Sequence, residues 1–140
     1  METGQILSAE SRTLAGVLLL ALVTVETGGL YLLRLVRGRA EATPFQLSFA
    51  RAGHAHAGVL LILALVCQLL ADATALTGWP DWLARSGVAV AALLMPAGFF
   101  LSSLGRGRSR PNALVGLVFA GALVLAAGLT SLGVGLLRAG

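Results

Sequence analysis

Four long apolar runs broken by three short polar connections organise this chain. The runs are Thr13–Val36, Phe45–Leu70, Trp82–Leu104 and Ala113–Leu137, each matching or exceeding the ~20 residues a helix needs to cross a hydrocarbon core. The connections "RGRAEATP", "ADATALTGWPD" and "GRGRSRPN" carry helix-stopping residues: Gly38 and Pro44, Gly78 and Pro80, then Gly105, Gly107 and Pro111. Connections this short make consecutive helices antiparallel neighbours. The pattern predicts an all-α integral membrane protein, a four-helix up-down bundle forming a single domain over residues 1–140. Trp79 and Trp82 in the middle connection suit a headgroup boundary.

Composition agrees with that placement. Of 140 residues 57% are hydrophobic and 11% charged, far from an ordinary soluble domain. The leading segment "METGQILSAESR" has two Glu and one Arg where a secretory signal is basic, so the first run is expected to remain as a helix. The single Cys67 forbids an internal disulfide and, lying within the second run, reads as packing. A net charge of +4 in a soluble protein would suggest nucleic acid. Here all ten basic residues are arginine and sit mainly between runs, which points to topology and lipid contact and leaves nucleic acid out. Arginine without lysine, beside abundant Ala, Gly and Leu, fits GC-rich coding and hence a bacterial inner membrane. Seven arginines (34, 37, 39, 51, 106, 108 and 110) mark one side and three (12, 85 and 138) the other. The positive-inside rule then puts the first and third connections in the cytoplasm and both termini outside.

Ionisable residues inside the runs are costly and usually face protein or a cavity. The set here is Glu26, Arg51, His54 and His56. At about 1.5 Å per residue, Glu26 and His56 both lie roughly 15 Å from the same membrane face. Met95 falls near that level, and Pro96 beside it should kink the third helix. Glu26, the histidines and Met95 are thus expected to share one layer, with Glu26 either paired to His or Arg51 or carrying a proton, and Met95 either core or an iron ligand.

Both histidines occur in "RAGHAHAGVL". Residues two apart on a helix point about 200° apart, so the pair cannot easily hold one ion from an unbroken helix. His54 shares its face with Arg51 and Gly58, and His56 shares the opposite one with Gly53, Leu60 and Leu63. The small neighbours Ala52, Gly53, Ala55, Ala57 and Gly58 leave the space a bulky planar ligand requires. In the fourth run Gly121, Gly128 and Gly135 recur every seven residues, a small-residue stripe for packing either within the bundle or between protomers.

The stretch "ARAGHAHAGVLLIL" resembles the H-x-H-bearing helix start of the haem-copper oxidase subunit I superfamily, including its small membrane relatives with G-H-x-H-x-x-x-L motifs. The large members arrange their helices in three arcs of four, and their haem and copper ligands come largely from the second helix of each arc. This chain is like one arc. The resemblance implies haem b, or copper or another metal ion, at His54 and His56, with Arg51 at the rim. It also implies that Arg106, Arg108 and Arg110 contact haem propionates, a role suited to guanidinium groups. The chain departs from the family in lacking an H-P-E-x-Y-type copper motif and a downstream histidine pair, so one chain cannot build a complete oxygen-reducing centre. The arginine count also places the histidine side in the cytoplasm, opposite to the large oxidases.

The leading expectation is therefore a membrane haem- or metal-binding protein for electron transfer or gas sensing, with a redox partner. Turnover of a substrate is not implied. A homo-oligomer, in one form a trimer of arcs, would imitate one subunit I. Two rival classes remain: a proton-coupled transporter titrating at Glu26, and a structural or assembly subunit whose one mark is the glycine stripe.

Overall fold

A computed structural model describes residues 6–139. Its helices are α1 (Ala9–Val36), α2 (Pro44–Ala71), α3 (Gly78–Ser102) and α4 (Gly116–Arg138), the last preceded by a 3-10 turn at Ala113–Val115. All four are long and apolar enough to span a bilayer, and no strand occurs among the described residues. The chain is a multi-pass membrane protein.

The helix ends follow from local chemistry. α1 starts four residues before the apolar run because Ser8 caps it, its side chain accepting from the Ser11 amide at 3.1 Å. Thr43 and Gln46 form a reciprocal capping box at α2, with Pro44 in the first turn, where its missing N–H costs nothing. α1 ends as the chain turns through Gly38 at φ +66°, a left-handed conformation that glycine adopts without strain.

The up-down order is as expected, but the helices form an open row. α2 packs on α1 and α3, and α3 packs on α4; α2 touches α4 only slightly, and α1 has no comparable contact with α4 among the described residues. The intimacy of α3 and α4 comes from glycine. A Cβ at Gly87 would lie 2.8 Å from the Gly128 Cα, and one at Gly98 would lie 2.7 Å from the Val118 amide nitrogen. Only hydrogen at these positions lets the two backbones meet. Gly121 packs against Met95, Gly128 against Gly87, and Gly135 against Leu76. The stripe packs inside the chain.

The core lies between α2 and α3, where Leu60, Leu61, Ala64, Cys67, Val88 and Ala91 are buried. From α1 only Ser11, Leu18 and Leu35 are buried. The first helix is thus a flank on a tighter three-helix unit. At the end shared by the termini and the α2–α3 connection, Trp79 and Trp82 pack edge to face, with ring centroids 5.2 Å apart.

Candidate functional site

The two histidines enter different helix seams. His54 leans toward α1, where its ring edge lies over Gly28 and Gly29; a Cβ at Gly28 would sit 3.2 Å from Nδ1, and one at Gly29 would sit 3.6 Å from Nε2. The glycine pair makes the room that this ring occupies. His56 leans toward α3, its ring centroid 5.0 Å from that of Phe99. Both rings are half-buried. Their opposed directions follow from two-residue spacing on an unbroken α2 with a neighbour on each side.

The nitrogens of His56 have separate roles. Nδ1 lies 2.7 Å from the Ala52 carbonyl oxygen, and that carbonyl only accepts, so Nδ1 is the donor of this bond. Nε2 is the nitrogen that the tether leaves unused, and the ring cannot swing without breaking that tether. Ligating histidines are oriented in this way. His54 has no such tether among the described residues, so either nitrogen is open to a partner.

The remaining candidates do not converge on the histidines. Glu26 is exposed on α1, and Arg51 is exposed on α2. Neither joins an ion pair among the described residues, where every ion pair involves Arg85. Met95 is buried with its side chain against Gly121 of α4, which is packing. Arg106 and Arg110 are exposed, while Arg108 is half-buried beside Gly105, and its carbonyl accepts from the Thr43 hydroxyl. Gln46 strengthens this junction by donating to the Ser103 and Gly105 carbonyls at 2.9 and 2.7 Å. His56 lies twelve residues into α2, about 18 Å from its start. These three arginines can therefore meet only carboxylates that project toward their end of the membrane.

A second polar cluster, missed by the sequence reading, lies at the opposite end. The Arg85 guanidinium donates from Nη1 to Asp72 and to the Ser11 hydroxyl, each at 2.6 Å, and from Nε to both Asp81 oxygens at 2.9 and 3.0 Å. Asp72 also accepts from the Ser8 amide at 2.8 Å and from Ser11 at 3.1 Å. Gln68, fully buried, donates to the Arg85 and Ala64 carbonyls, and its Oε1 has no partner among the described residues. This cluster ties α1, α2 and α3 together. Burial alone would raise the Asp72 carboxyl; the Arg85, Ser8 and Ser11 hydrogen bonds outweigh it and hold the group at about 2. A groove of about 650 Å³ runs beside the cluster, between Leu14 of α1 and Trp82 of α3. The spacings Gln68–Asp72 and Asp81–Arg85 were readable as same-face pairs, but their meeting across helices was not.

Among the described residues no three of His, Cys, Asp and Glu gather into a metal-holding group. A bare ion such as zinc takes about four ligands, whereas iron in a porphyrin asks the protein for one or two axial donors. No family model, curated protein or solved structure matches the chain.

Proposed function

We propose that this membrane protein binds a b-type haem with His56 as an axial ligand and uses it for electron transfer or gas sensing. The carrying observation is the His56 tether: Nδ1 is bound to the Ala52 carbonyl, and Nε2 is left unused on a half-buried ring backed by Phe99. His54, in the other seam, faces away from that iron and would serve a separate site against α1. Arg106, Arg108 and Arg110 would meet propionates that reach toward the α3–α4 connection. The haem would supply one-electron chemistry or a gas-binding iron, and the chain would supply the ligand nitrogen, its fixed orientation and an apolar surround. Copper or another ion is the weaker variant, because no third ligand gathers with the histidines among the described residues. The likeness of the H-x-H segment to one arc of haem-copper oxidase subunit I supports the same reading. The setting is a bacterial inner membrane with the arginine-rich connections in the cytoplasm, the termini outside, and a redox partner to exchange electrons.

The test is an absorption spectrum of protein purified in detergent after expression with supplied haem. The expected result is a Soret band that His56→Ala abolishes and His54→Ala weakens or shifts. A wild-type protein without the band, or a band indifferent to both substitutions, overturns the proposal.

A further inference from the structure

Glu26 and Arg51 are opposite charges inside membrane-spanning helices, both exposed and both without an ion partner among the described residues. Exposure to lipid is the wrong environment for either, since such groups face protein or a cavity.

Their positions match. The contact of His54 with Gly28 and Gly29 sets the level of α2 against α1. From that level Glu26 lies two to three residues toward the α1 start, and Arg51 lies three residues the other way, an axial gap of about 8 Å. The long arginine stem and the glutamate side chain can close that gap between them. Glu26 sits one residue past Val25, which packs against the core, and Arg51 sits three residues before His54. With about 100° per residue and antiparallel helices, both rotations lead out of the seam on the same side. There Leu19, Leu30 and Leu33 of α1 and Val59, Ile62 and Val66 of α2 are also exposed.

We propose that a second copy of the chain covers this face through a two-fold axis along the membrane normal. α1 of each copy then lies on α2 of the other, and Glu26 of each pairs with Arg51 of the other. The charges decide for a second copy: the face carries one acid and one base at nearby depths, so it is self-complementary under a two-fold rotation, as an isologous interface requires. Lipid would leave both groups unpaired. The inference goes beyond the cofactor reading and does not depend on it.

The test is disulfide cross-linking in membranes, in a Cys67→Ser background that removes the only native thiol. Leu19 lies nine residues before Gly28 and Ile62 eight after His54, which puts them at nearly one level. One copy carrying Leu19→Cys and a differently tagged copy carrying Ile62→Cys are co-expressed and oxidised. The expected result is a mixed covalent dimer, with or without haem. Glu26→Gln or Arg51→Gln in both copies should lower its yield about tenfold, the scale of losing one polar interhelical contact, and the exchange Glu26→Arg with Arg51→Glu should restore it. Absence of the mixed dimer, cross-linking to a foreign protein instead, equal cross-linking from Leu123→Cys on α4, or a yield indifferent to the charges overturns the proposal. The exchange variant guards against a single substitution that merely misfolds.

Discussion

Around Arg85, three helices meet in a cluster where Asp72, Asp81 and Ser11 each receive a guanidinium hydrogen bond. Around the histidines, halfway across, one backbone hydrogen bond holds His56, and Glu26 and Arg51 stand apart. The first region is polar chemistry completed within the chain, and its product is architecture: it fastens the otherwise loosely held α1 to α2 and α3. The second is polar chemistry left incomplete, which in a membrane is what a ligand or a second copy completes. The number of polar residues matters less than whether the chain satisfies them.

The sharpest way to break this contrast is Arg85→Met. It leaves Asp72 and Asp81, whose side chains are only 13% and 20% exposed, without their cation. The expected cost is about 3 kcal/mol, as for a buried pair broken on one side, read as a lowered midpoint in detergent-monitored unfolding. An equal loss from His56→Ala would erase the distinction between the regions.

Acid offers a milder probe. The folded Asp72 carboxyl sits at about 2, below its ordinary 3.8, so the unfolded chain takes up this proton first as pH falls. The stabilisation from Asp72 is therefore complete above 3.8 and lost as pH drops through about 2. Unfolding followed from pH 5 downward should show that loss, and Asp72→Asn should remove the step.

The smallest expected effect is at the histidines. His56→Ala removes one hydrogen bond and one ring contact, for about 1 kcal/mol, while abolishing any haem signal. A function-sized change beside a stability-sized change this small would separate the two regions most cleanly.

Hydropathy made the four spans and their order legible, because ~20 apolar residues in a row have few alternatives. The helix ends moved by a few residues where caps such as Ser8 extended them. Neighbour relations were not legible: an up-down order fits a closed bundle and an open row equally, and what decides is where glycine lets backbones touch, as at Gly87 and Gly128. The opposite facing of His54 and His56 was readable because it is a property of one helix. The Arg85 cluster was not, because its members come from three helices and the charge pattern alone counted Arg85 as a topology marker. Met95 could be placed in depth but not in direction, and direction makes it core.

Trp79 and Trp82 are the only tryptophans in the chain and pack against each other at one end. The intrinsic fluorescence of the protein therefore comes from a single membrane boundary, the one shared with both termini. An aqueous quencher confined to one side of sealed vesicles would dim that emission only if this boundary faces it. With four antiparallel spans, one unlabelled optical reading then orients every connection in the chain.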